Sequence, residues 1–243
     1  MLRAIALLLL FAALTIHVDK AHALAFVPTE SEWALWPEYC RARYVESAAG
    51  RQSDFARAVP RQASKMWEHR MGDAWYGLHH HCAALVYIEQ AKHITSAIEK
   101  KRKLTHAVKE IQYAMDRTAK TNVWHAEMLA RQAIAFNMLG DKDAAFKNLD
   151  EAITLHPEYL FTYATKAMMY REHRDLASAR KTLEAANDAS KGESAEIQYA
   201  LGLICAEAGD FDAAKAHARI AYSLGHPLPG LRQKLAASGH PLE

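Results

Sequence analysis

The chain lacks the short signatures that mark most catalytic and cofactor sites. It has no Gly-x-Ser-x-Gly elbow, P-loop, dinucleotide fingerprint or His-Glu-x-x-His. Nor has it the Cys-x-x-Cys-His that would tether a haem. These absences argue against an enzyme, and no cofactor is expected. Charge of one sign is missing too: 30 Lys and Arg face 28 Asp and Glu, a formal net charge of +2. Such a balance gives no reason to expect a nucleic-acid partner. The one basic cluster, "EKKRK" at 99–103, reads as a solvated loop. Glu127, Glu151 and Glu184 read as surface carboxylates on helices, not as a catalytic pair.

Long apolar runs are scarce as well. The first residues, "MLR" followed by "AIALLLLFAALTI" and the polar "HVDKAHA", have the order of a secretory signal peptide, with cleavage expected after Ala23. The run Ala4–Ile16 is shorter than the roughly 20 residues a spanning helix needs. The mature chain is therefore expected to be exported, to the periplasm or beyond, without a membrane span. Cysteine is sparse: Cys40, Cys82 and Cys205. In an oxidising compartment an odd count suggests one pair and one leftover thiol.

What the chain does have is a period of 34 residues. Ala133, Ala167 and Gly202 lie 34 and 35 residues apart, as do Ala145, Ala179 and Ala214, and Ala152, Ala186 and Ala221. Phe136, Tyr170 and Cys205 recur between them, and Leu149, Leu183 and Ala218 recur in the second half. Small residues let two helix axes approach, and the larger ones fill the layer between copies. Gly140 and Gly209 are placed to end first helices, and Asp141, Asp175 and Asp210 to cap second ones. One copy alone cannot bury its apolar stripe, so copies must stack.

This pattern resembles the tetratricopeptide repeat family, most closely over 126–159. The copies at 160–193 and 195–228 depart from it: Lys191 replaces the expected proline, Cys205 replaces the aromatic, and the proline shifts to Pro227. The resemblance implies an all-α, right-handed solenoid of antiparallel helix pairs. A helix over 229–238, within the tail 229–243, would cap its end. Upstream, 73–125 reads as a degenerate helix pair, in which Ala107, Ile111 and Ala114 echo Ala145, Leu149 and Ala152. The segment 24–72 reads as irregular and aromatic-rich. Thr29 or Ser31 could start a helix there and Pro37 break it, with Trp33, Trp36, Tyr39 and Tyr44 packed onto the solenoid.

The stretch "LHHHCAAL" at 78–85 raises a metal-site alternative from His79, His80, His81 and Cys82. A helix turns about 100° per residue, so three consecutive imidazoles fan apart and cannot share one ion. Metal-binding helices place ligands at i and i+4, where His79 and His80 find Ala83 and Ala84. Outside help from His69, His93 or Cys40 would be needed, and no metal is expected. A Cys40–Cys82 bridge is the sharper reading, with both thiols reduced as its rival. It would close a loop of about 40 residues, worth roughly 3–4 kcal/mol. Cys205 is then a buried free thiol.

By family resemblance the first helices line a concave face that binds a partner segment. Spacing assigns to it Ala130, Ile134 and Met138, Ala164 and Met168, and Tyr199 and Leu203, with Arg131, Asn137 and Arg171 as polar anchors. The chain's own N-terminal segment is the alternative occupant. The expected function is a non-catalytic protein–protein interaction scaffold or assembly subunit in a cell-envelope complex. A metal- or cofactor-handling role for residues 79–82 is the alternative.

Overall fold

In the computed structural model, which describes residues 27–242, each second helix of the repeating region starts on an aspartate. Asp141, Asp175 and Asp210 accept the backbone N–H three residues on, at 3.1, 3.0 and 3.2 Å. That satisfies one of the donors a helix leaves unpaired at its start. The turns before them need a left-handed residue. Gly140 and Gly209 supply it with φ of 84° and 81°, while the middle copy uses Arg174 at 61°. The expected signal peptide and its cleavage point lie outside the described residues.

Thirteen α-helices, one 3₁₀ turn and no strand are found among the described residues. The N-terminal segment holds α1 (Glu30–Leu35), α2 (Glu38–Val45), α3 (Ala48–Gln52), the 3₁₀ turn Asp54–Arg57 and α4 (Arg61–Met71). Then come α5 (Ala74–His93), α6 (Ala97–Met115), α7 (Val123–Leu139) and α8 (Lys142–Leu155). They are followed by α9 (Leu160–Glu172), α10 (Leu176–Ala189), α11 (Ala195–Glu207), α12 (Phe211–Ser223) and α13 (Gly230–Ala237).

From α5 to α12, helices adjacent in sequence pack as pairs, and α5, α7, α9 and α11 also touch in that order. The second helices are buried along a single stripe. In α8 it is Ala145, Leu149 and Ala152; in α10 Ala179, Leu183 and Ala186; in α12 Ala214, Ala218 and Ala221. Steps of three and four place each trio on one face, as an amphipathic helix at the outside of a layer requires. In α6, Ala107, Ile111 and Ala114 bury the same stripe, extended by Leu104. Helix α7 differs: His125 to Ala130 are all buried, a run that covers every side of a helix. It is an inner helix. The α5–α6 pair is tightest at Gly77, where a Cβ would come within 2.8 Å of Ala114 Cα.

Two expectations for the upstream half are corrected. The basic run 99–103 is not a loop but part of α6, whose connection to α5 is only Ile94–Ser96. Ser96 caps α6 by accepting the Glu99 N–H at 3.4 Å, so the helix starts before the lysines. The segment 24–72 is not irregular where it is described, but largely helical. Thr29 and Glu32 form a reciprocal capping box at the start of α1, and Pro37 separates α1 from α2. Helix α7 also begins at Val123, ahead of the boundary placed at 126.

Candidate functional site

Because α7 is covered on all sides, its one acidic side chain has nowhere to reach water. Glu127 is 3% exposed, which corrects its assignment as a surface carboxylate. A buried carboxylate must be paired and fully hydrogen-bonded. Glu127 accepts Arg131 Nε at 2.8 Å, the Tyr39 hydroxyl at 2.9 Å and the Tyr159 hydroxyl. Burial pushes its carboxyl up, but Arg131, the nearby His81 and the hydrogen bonds outweigh that and hold it below the usual range. Burial and the same carboxylate push both phenols up. The cluster ties α2 and the residue before α9 to α7.

The N-terminal segment is fastened to α5 by covalent and polar links. Cys40 and Cys82 form a disulfide with Cα atoms 5.5 Å apart, and Trp36 Nε1 donates to the Cys82 carbonyl at 3.0 Å. Cys205 is a buried free thiol. Trp36, Tyr39 and Tyr44 are buried, and Trp33 stacks on Phe55 at 4.4 Å. Burying each large ring contributes roughly 2–3 kcal/mol.

This fastening leaves a cavity of about 180 Å³ between α1, α5 and α7. Leu35, Trp36, Leu85, Val86 and Ile134 line it, with the charged Glu32, Glu89, Lys92 and Arg131 around them. A cavity of about 150 Å³ accommodates a benzene ring, so this space suits one large apolar side chain. Leu35 stands at its edge 66% exposed. Arg131 brings no free charge to it, since Glu127 neutralises the guanidinium and its Cζ lies 4.3 Å from the Phe161 ring.

The other residues assigned to the face divide into covered and open. Ala130 is fully buried and lines nothing, because α7 is an inner helix. Tyr199 is taken by the tail: its ring stacks on His226 at 3.8 Å and its hydroxyl accepts the Leu231 N–H at 3.1 Å. Ile134, Asn137, Met138, Ala164 and Leu203 are half-buried, and Met168 is 41% exposed. The polar anchors are engaged across copies. Asn137 Nδ2 donates to Glu172 at 2.9 Å, and Arg171 Nε donates to Glu207 at 2.7 Å within a two-pronged pair. Lys234 of α13 completes the ladder, 3.5 Å from Glu207. The partners are 35 and 36 residues apart, so the ladder repeats with the period.

The histidine run separates as helical geometry dictates. His80 pairs with Glu110, its ring 3.9 Å from that of Tyr113. His79 and His81 are buried, and neither ring nitrogen of His81 has a hydrogen-bond partner among the described residues. Burial drives both imidazoles down to about 4, which keeps them neutral. With Cys82 in the disulfide, its sulfur is not a thiolate ligand. No group of three His, Cys, Asp or Glu side chains is arranged to hold a metal among the described residues, and none of their helices is long and apolar enough to cross a membrane.

Sequence reasoning missed Glu127, Tyr39 and Tyr159 as one unit and Leu35 as part of a pocket. A signal for Glu127 existed: "AEMLARQAIA" has apolar residues on every side, so a lone acid within it must be buried and paired. Compared with known proteins, the chain matches no protein-family model and has no significant match among curated sequences.

Proposed function

We propose that the protein is an exported, non-catalytic scaffold or assembly subunit of a cell-envelope complex. In this reading it has a tetratricopeptide-type solenoid and grips an apolar segment of a protein partner. The observation that carries the reading is the cavity between α1, α5 and α7, sized for one large side chain and edged by exposed Leu35. From there the half-open Ile134, Met138, Met168 and Leu203 continue along the first helices. The ladder of Asn137, Arg171 and their glutamates neutralises the polar anchors, so apolar contact is what this face offers. The N-terminal segment borders the cavity as a wall, which makes it part of the partner site instead of its occupant. The Cys40–Cys82 disulfide supports an oxidising compartment.

Native mass spectrometry of the protein gently extracted from its own envelope tests this reading. The wild type is expected to carry a stoichiometric protein partner, and Leu35→Glu with Met168→Glu, both at exposed positions, to lose it while melting as before. A lone wild-type chain, or a variant that keeps its partner, would overturn the assignment.

A further inference from the structure

The basic run that the sequence presents as a solvated loop forms instead one wall of a groove. Ile98, Arg102, Thr105 and Lys109 follow one another at steps of four, three and four along α6, with Lys101 three residues after Ile98 and four before Thr105, so they share a face. Together with Tyr87 of α5 and His106 they enclose about 720 Å³. Lys103 sits over the Tyr87 ring at 5.2 Å and donates to Gln90 at 2.8 Å, and the His106 ring lies 4.9 Å from that of Tyr87. These contacts fix an aromatic floor under the cationic wall. Ile98 projects at the groove's end, 83% exposed.

Fold stability does not explain these charges. Of these cations only Lys100 falls at the end of the first turn of α6, where the helix dipole disfavours positive charge; Lys101, Arg102 and Lys109 lie beyond it. Some cations of the chain are paired, Lys120 with Glu151, Lys166 with Asp150, and Arg180 with Glu184 and Asp210. Lys101, Arg102 and Lys109 make no ion pair among the described residues, and the nearby Glu110 is committed to His80 and His106. Lys101, Arg102 and Lys109, exposed on one groove and without an ion pair among the described residues, are complementary to an anionic partner.

We propose that this groove docks an acidic segment of a partner protein whose carboxylates meet Lys101, Arg102 and Lys109 and whose apolar residue rests on Ile98 and Tyr87. A concave site with a single projecting apolar side chain fits a polypeptide better than a lipid plane. Surface-bound helices need a continuous apolar face to sink into the bilayer boundary. The groove lies on the second helix of the first pair, apart from the face of the first helices.

Fluorescence anisotropy tests this with a labelled peptide of glutamate and leucine, an all-glutamate control and phosphatidylglycerol vesicles. The full chain is expected to bind the mixed peptide more tightly than the control, and less tightly as salt rises. Lys101→Glu, Arg102→Glu and Lys109→Glu together should weaken binding about tenfold or more. Ile98→Ser should remove the preference for the leucine-containing peptide. The charge-reversed variant should melt close to wild type, because the three side chains are exposed and make no ion pair among the described residues. Equal peptide affinity in wild type and charge-reversed variant, or no peptide binding by the wild type, would overturn the proposal. Vesicle binding without peptide binding would also overturn it and reassign the groove to anionic lipid.

Discussion

Acid should destabilise this protein through two imidazoles, well before its carboxylates titrate. Burial lowers His79 and His81 to about 4, against an ordinary 6.5 in the unfolded chain. Around His79, the charges of His80 and Arg43 reinforce burial and Glu110 opposes it. Around His81, Glu127 opposes burial and Arg131 reinforces it. Because each folded pKa lies below its unfolded value, the unfolded chain takes up the proton first as pH falls. The stabilisation is complete above pH 6.5 and drains away toward pH 4. Linkage gives about 2.5 kcal/mol per imidazole between pH 7.5 and 4.5, hence about 5 kcal/mol for the pair. Urea unfolding at half-unit pH steps measures the loss, and His81→Leu should lower it by about 2.5 kcal/mol, with His125 and His217, also lowered by burial, adding to what remains. A stability flat across this window, or a slope unchanged in His81→Leu, would refute the reasoning.

Two further perturbations probe the fastening of the N-terminal segment. Cys40→Ala with Cys82→Ala opens a loop spanning 42 residues and should cost about 4 kcal/mol in the chain-entropy model. The urea midpoint should fall in the variant and on reduction of the wild type, while the variant no longer responds to reductant. Glu127→Ala strands Arg131 and leaves the Tyr39 and Tyr159 hydroxyls without their acceptor, a loss of about 3–5 kcal/mol. Glu127→Gln keeps an acceptor and should cost less; equal unfolding free energies for the two variants would contradict the assignment.

The parts of the fold legible in the sequence are those that one helix pair decides locally. The trios built on Ala145, Ala179 and Ala214 announce themselves by period, and the capping aspartates act on a backbone N–H three residues away. The start signal for α6 is equally local, since Ser96 and Glu99 have the spacing of a capping box, and the lysines after it are compatible with either a loop or a solvated helix face. Glu127 was harder, because the phenol that satisfies it comes from Tyr39, 88 residues earlier. Spacing selects a helix face but says nothing about what folds over it. That is why Tyr199 is claimed by His226 and Leu231, and why Ala130 vanishes into an inner helix.

The distribution of charge separates the regular copies from the first pair. Between α7, α9, α11 and α13 the side chains that could have selected a partner are consumed by a ladder that joins copy to copy. Such a ladder fixes the register of neighbouring copies at little net energy, since exposed ion pairs are worth about 0–1 kcal/mol each. Around the first pair lie the cavity under α1 and the basic groove beside α6. Leu85 and Val86 of α5 face the cavity under α1, while Tyr87, between Val86 and Ile88, floors the groove beside α6. Successive residues of one helix thus serve two surfaces, and the disulfide joins Cys82 of that helix to α2.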